Sequence, residues 1–458
     1  MDRRQLLLAG SAAMGVGALG FVPSANSNPL SLTIQGARHR VLESVTEGMV
    51  SLSPDAPPPV IRMRRGQPFV ADVTNSLSDY TAMHWHGIRV PNDMDGVPYL
   101  TQIPMGQGDA YRYAFTPEDA GTYWYHPHCM TMDQMARGLT GVLIVEEEEN
   151  PGFDVDLAVN LRDFRLGDDG QFIELYTLRG AARAGTLGSV MTANWRTEFM
   201  SDQPSGSLVR LRLAATDTTR IYRLFVQGSE GRIIAMDGHP LNVPVPWPSA
   251  EKPLLLSPGQ RADLALKMPA AEGQTIDVMA YASGGTHVLA RLRAIGADQG
   301  RDPGELLPLP PNPLSEPDLE KAKTGEFVFG WSPEGDAPNN GFCGSLGPNF
   351  WSINRKPWAG DAVEDTGPLG QMKLGESYIL RLRNESPNDH PIHLHGMTFK
   401  PIRSNKRDLL PNWTDTALLL RDETIDIALV ADNPGDWAFH CHVIEHQKTG
   451  LAGYFRVG

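Results

Sequence analysis

Histidines recur in pairs two residues apart: His84 and His86 in "HWHG", His126 and His128 in "HPH", His393 and His395 in "HPIHLHG", and His440 and His442 in "HCHVIEH". On an extended strand, residues i and i+2 point to the same face, so each pair presents two imidazoles side by side. Neutral imidazole suits Zn, Cu, Fe and Ni. Four such pincers brought together would hold a cluster of several ions. Of the 13 histidines, only His39, His239 and His287 lie outside these four motifs. Standing singly, they read as surface or hydrogen-bonded residues.

Cys441 sits between His440 and His442 and must therefore point to the opposite side of its strand. There it can meet His390 and His446. One thiolate and two imidazoles form the trigonal set of an electron-transfer copper site. The strand would thus carry a collector of electrons on one face and a consumer on the other. Leu451, ten residues after Cys441, falls where such sites often hold a weak Met sulfur, and a copper without that donor is the stronger oxidant; the alternative is a packing leucine with the Met supplied from elsewhere.

The segments that must position these residues are short β-type runs, such as "QPFVADVTN", "YRYAF", "GLTGVLIVE", "RIYRLFV", "YILRLRN" and "IDIALVAD". Gly, Pro, Asn and Asp bound them, and long amphipathic helix patterns are scarce. That is the pattern of a β-sandwich or barrel repeated several times. The acidic turn "EEEENPGF" and the proline-rich "LLPLPPNPLSEPD" mark boundaries. Three units follow, over 28–150, 151–305 and 321–458, with a linker over 306–320. The first and third share one order of motifs: an H-x-H-G strand, a turn with Pro and Gly, an aromatic-rich strand, then H-x-H. They read as diverged copies of one sandwich. The middle unit lacks the histidine pairs and reads as a structural spacer.

The N-terminus pairs Arg3 and Arg4 with a mildly apolar run, Leu6 to Val22, that contains four glycines. This resembles a twin-arginine export signal over 1–27, which would hand the chain to the twin-arginine machinery and place it in a bacterial periplasm. The run is too short and too rich in glycine to be a stable membrane span. The net charge of −14 argues against nucleic acid and anionic membranes as partners. There are three cysteines. If Cys441 is a ligand, Cys129 and Cys343 are left to pair. The run "HCMTMDQM" beside the second pincer offers an alternative, a soft site for Cu(I), against the reading of its methionines as core filler.

Together "HWHG", "HPH", "HPIHLHG" and "HCHVIEH" resemble the four signatures of the multicopper oxidases, the family of laccases, ascorbate oxidase and bacterial cuprous oxidases. The similarity runs across the mature chain. It implies an all-β fold of three consecutive cupredoxin-like Greek-key β-sandwich domains. It also implies four copper ions. A type 1 copper would rest on His390, Cys441 and His446, and a type 2 copper on His84 and His393. A type 3 pair would rest on His86, His126, His128, His395, His440 and His442. Such enzymes take single electrons from a reductant and reduce O2 to water. The resemblance places Asp95 as an acid near the type 2 copper, while the Asp-Gly turn offers a plain structural role. Several bacterial relatives carry an acid where this chain has Gln447, which leaves Glu445 as the nearby carboxyl.

The leading expectation is a laccase-type oxidase of phenols or aromatic amines, with electrons entering at an exposed edge of His446 or His390. The alternative is a periplasmic metallo-oxidase of Cu(I) or Fe(II), although no long methionine-rich insertion is present. A non-catalytic envelope scaffold of the same fold would have shed its ligands, and none is missing here.

Overall fold

The period-two runs of the sequence become half-buried strands. Phe69–Asn75 and Ser377–Asn384 bury every second side chain, as sheets with one wet face do. Gly121–Pro127, Leu208–Ala215 and His390–Leu394 are buried at every position. These strands lie deep, where neighbouring units cover the outer face as well. Thr122, for example, donates to the Asp263 carboxylate of the second unit at 2.6 Å. The computed structural model describes residues 29–243, 245–335, 343, 345–358 and 367–458. The leader expected over 1–27 lies outside these residues. Among them, the α-helices are Thr131–Ala136, Leu178–Ala181 and Ile444–Gln447, none of them long and apolar enough to cross a membrane.

Six sheets pair into three sandwiches. Their pairings repeat. In each unit the opening strand runs parallel to a later one: Leu30–His39 with Phe69–Asn75, Val155–Phe164 with Leu208–Ala215, and Lys323–Trp331 with Ser377–Asn384. The facing sheet repeats the device, joining Ile61–Arg64 to Gly141–Glu146, Phe199–Pro204 to Gly285–Ile295, and Gly370–Met372 to Ala452–Val457. One crossed-over topology is therefore used three times, as Greek-key sandwiches require. Each sandwich encloses its own apolar core, around Trp85 and Tyr113 in the first, Leu213 and Leu264 in the second, and Phe329 and Phe439 in the third.

The proline-rich stretch forms neither helix nor strand from 306 to 322, since its residues lack amide donors or the angles a ladder needs. It is tied to the first unit instead. Asn312 exchanges hydrogen bonds with the backbone of Ala120 at 2.9 and 3.0 Å. Cys129 and Cys343 are bonded across 214 residues and link the first unit to the third. A crosslink of that span contributes about 2–5 kcal/mol. Cys129 is therefore no thiol for Cu(I). Met132 and Met135 are buried against Trp124 and Ile444, as core filler.

Candidate metal centre

The two histidine-bearing units present their pincers in the same register. Met83–His86 pairs antiparallel with Gly121–Pro127, placing His84 opposite His126. His390–Leu394 pairs antiparallel with Gly435–Cys441, placing His393 opposite His440. The units then face each other with their rings interleaved. His84 stacks on His395 at a centroid distance of 3.9 Å, and His86 stacks on His393 at 3.7 Å. All eight pincer imidazoles are buried in one chamber.

Hydrogen bonds fix the tautomers. His84 Nδ1–H donates to the Asp95 carbonyl at 2.7 Å, His126 Nδ1–H to that of Pro127 at 2.9 Å, and His393 Nδ1–H to that of Asp415 at 2.9 Å. His440 Nδ1–H donates to the Cys441 carbonyl at 2.9 Å. His86 is turned the other way, with Nε2–H donating to the Asp415 carboxylate at 3.0 Å. The second nitrogens of His84, His86, His126 and His393 are buried without a partner, and so are both of His442. His395 Nε2 and His440 Nε2 face each other at 3.0 Å, although each ring already donates through Nδ1. Two lone pairs so placed are satisfied by a cation. His128, His395 and His440 bring ligand atoms together as one three-nitrogen set. Burial, joined by neighbouring imidazoles, holds His86, His126, His128, His395, His440 and His442 well below the ordinary histidine range. The rings are neutral, as metal ligation demands.

On the other face of the strand, Cys441 Sγ lies 3.5 Å from His390 Nδ1 and 3.6 Å from His446 Nδ1. The two Nδ1 atoms are 3.1 Å apart. His446 Nε2–H donates to the Arg183 carbonyl at 2.6 Å, and His390 Nε2 is 2.7 Å from Ser386 Oγ. The carbonyl therefore turns the Nδ1 lone pair of His446 toward the sulfur, and the Ser386 hydroxyl, able to accept from Nε2–H, allows His390 to do the same. Burial pulls His446 down to about 3 and pushes the Cys441 thiol up. A metal cation beside that thiol is what converts it to a thiolate. Leu451 is fully buried in the same core cluster, and its backbone bonds to both Cys441 and His446. The expected exposed histidine edge is absent. His390 and His446 are both 0% exposed, because Trp351 packs edge-on against His390 and tilted against His446, and the Arg183 segment closes over His446.

Asp95 is brought to the chamber by a tight turn. Gly96 has φ +82°, and a Cβ there would fall 1.9 Å from the Met83 carbonyl oxygen, so only glycine lets the chain fold back this closely. The Asp95 carboxylate then reaches His395 Nδ1 at 2.9 Å and His84 Nδ1 at 3.3 Å. Gln447 Nε2 stands 3.4 Å from His128 Nε2. Glu445 turns elsewhere. Its carboxylate accepts from the Thr186 backbone and hydroxyl at 2.5 and 3.0 Å, and burial raises it to about 7. It latches the segment that covers His446.

Sequence reasoning missed Asp415. Its carboxylate joins His86 to the fully buried Arg261, at 2.6 Å. Burial opposes its ionisation, but Arg261, His86 and His393 outweigh burial and hold it well below the usual carboxylate range. Arg261 belongs to the middle sandwich, as do the Ala181 and Arg183 carbonyls. That unit is thus more than a spacer. It adds no histidine to the chamber, yet it orients rings at both sites.

A buried chamber of neutral imidazoles, backed by a cysteine site on the same strand and held by three cupredoxin-like sandwiches, defines a copper-dependent oxidoreductase. Multicopper oxidase family models match residues 33–150 and 344–458. The solved multicopper oxidase of Pseudomonas thermotolerans is 37% identical, with a TM-score of 0.84 over 96% of this chain and 100% of that one. Multicopper oxidase MmcO of Mycobacterium tuberculosis is 29% identical over 438 residues, covering 86% of this chain and 80% of its own. Laccase-1 of Botryotinia fuckeliana is 25% identical, covering 90% and 79%. The chain belongs to the multicopper oxidase family.

Partners that orient ligating histidines control metal retention. Asp415→Asn should therefore weaken copper binding about 10- to 100-fold, read by titration with a chelator. Leaving the buried Arg261 with only Asp237, 3.6 Å away, should also lower stability, by up to about 3–5 kcal/mol.

Proposed function

We propose that the chain oxidises small electron-rich aromatics, phenols or aromatic amines, one electron at a time, and delivers four electrons to O2 to give two waters. In this reading His390, Cys441 and His446 would hold a type 1 copper, and the buried Leu451 beside them would offer it no donor. His84 and His393 hold a type 2 copper. A type 3 pair rests on His86, His126 and His442 at one ion and on His128, His395 and His440 at the other. Copper supplies the one-electron acceptor at the first site and the seat of O2 reduction at the second. Asp95, against His84 and His395, would move protons to the chamber, while the Glu445 carboxyl beyond Gln447 is engaged by Thr186. The leader over 1–27 supports twin-arginine export to the periplasm.

The observation that carries the reading is the back-to-back placement of Cys441 and its two flanking histidines. It gives electrons a continuous covalent route, through one stretch of backbone, from collector to chamber. The choice of substrate rests on what surrounds the collector. Among the described residues, Ser386, Cys441 and Trp351 are the side chains bonded to or packed against the rings of His390 and His446, apart from those two rings themselves. That setting favours an aromatic donor over Fe(II) or Cu(I), which would call for carboxylates or thioethers.

The test is O2 uptake by the copper-loaded protein with 2,6-dimethoxyphenol, Fe(II) and Cu(I) compared side by side. Uptake with the metal ions alone would replace this reading with a metallo-oxidase. Leu451→Met should lower the reduction potential of the type 1 centre, measured by redox titration. An unchanged potential would mean that residue 451 does not reach the metal.

A further inference from the structure

Both imidazoles of the cysteine site are sealed from solvent, so a reductant cannot touch them. One aromatic path leads outward. Trp351 is itself 0% exposed and packs against both rings, with centroids 5.0 Å from His390 and 4.5 Å from His446. Its Nε1–H donates to the Ala181 carbonyl at 2.7 Å, which fixes the indole. Trp331 stands edge-on to Trp351 at 5.3 Å, and as a residue it is 44% exposed. The contact is set by the sheet, since Trp331 and Trp351 are direct cross-strand partners in the pairing of Lys323–Trp331 with Trp351–Ile353.

We propose that Trp331 is the electron port: a docking platform on which the aromatic donor stacks, and the outer member of a two-indole path to His390 and His446. This deepens the phenol-oxidase reading and rests on it. In the step, a phenol stacked on Trp331 gives up one electron and loses its hydroxyl proton to solvent, becoming a phenoxyl radical. The electron tunnels through Trp331 and Trp351, neither of which is itself oxidised, and reduces Cu(II) to Cu(I) at the cysteine site. Tunnelling decays steeply with distance, and the indoles fill the space that would otherwise separate donor from ligand. Stacking on an exposed indole suits a flat electron-rich ring, a phenol or an unprotonated aromatic amine. A hydrated metal ion gains nothing from the ring face.

The test uses copper-loaded wild type, Trp331→Ala and Trp331→Phe. Binding of 1,2,3-trimethoxybenzene, which stacks like the phenol but has no hydroxyl to oxidise, is followed by saturation-transfer NMR. Anaerobic bleaching of the type 1 colour by 2,6-dimethoxyphenol gives the electron-transfer rate. Trp331→Ala should lose about tenfold in trimethoxybenzene affinity, the worth of one aromatic contact, and should bleach more slowly at saturating phenol. Trp331→Phe should restore both, and the type 1 potential should stay the same in all three proteins. If Trp331→Ala keeps binding and bleaching within about twofold of wild type, as an unremarkable surface change would, the port is overturned. If wild type fails to bleach with phenol yet bleaches with Fe(II), the phenol reading falls, and the port then stands or falls on trimethoxybenzene binding alone.

Discussion

Cys441→Ser is expected to retain one copper fewer per chain, lose its blue absorption and reduce O2 on the order of a thousandfold more slowly than wild type. The serine hydroxyl is a hard, weakly acidic donor where the trigonal site needs a soft thiolate. The fold should survive. Serine is close to isosteric with cysteine, and the Val443 amide that now donates to Cys441 Sγ at 3.4 Å can donate to an oxygen. The histidine chamber should still load, because none of its ligands changes. Metal analysis, a visible spectrum and an oxygen electrode read all three consequences. Wild-type turnover in the variant would mean that electrons reach the chamber without passing through this site.

Asp95→Asn is expected to leave electron entry intact and slow O2 reduction about a hundredfold, the usual size of a lost general acid. The substitution keeps the shape of the side chain. His84 should hold its orientation, since the Asp95 carbonyl, not the carboxylate, accepts its shortest bond, at 2.7 Å. What disappears is the negative charge and the proton it can carry, 2.9 Å from His395 Nδ1. Anaerobic reduction of the type 1 centre by a phenol should proceed at the wild-type rate, while reoxidation on admitting O2 lags. Equal reoxidation rates would reduce Asp95 to a turn residue.

The four pincers and the direction of Cys441 were legible because strand periodicity is strict: two residues apart means one face, one apart means the other. The three-fold repeat of the sandwich was legible from turn residues and from the shared motif order of the first and third units. The remainder was hidden for physical reasons. The Arg183 carbonyl that orients His446 is backbone, and a backbone acceptor leaves no mark on residue type. Asp415 lies in "WTDTALLL", where nothing in its spacing separates it from a surface turn, and its partner Arg261 comes from another sandwich. The sealing of His446 depends on the Leu178–Ala181 helix and the residues after it, which dock only through tertiary contacts such as the Thr186 bond to Glu445. The same holds for Glu445 itself. Its position next to His446 suggested chemistry, and its geometry shows a clasp.

The pairing of His390–Leu394 with Gly435–Cys441 sets Ile392 opposite Cys441 and His393 opposite His440. Alternate letters of one strand thus spell two half-reactions, and the hydrogen-bond ladder is the frame in which they are read. A shift of one residue would turn Cys441 into the chamber and drive His440 and His442 into the apolar core, erasing both sites together. Insertions in the surface turns of this unit cost little by comparison. Within these two strands, a single inserted residue is a frameshift in the protein.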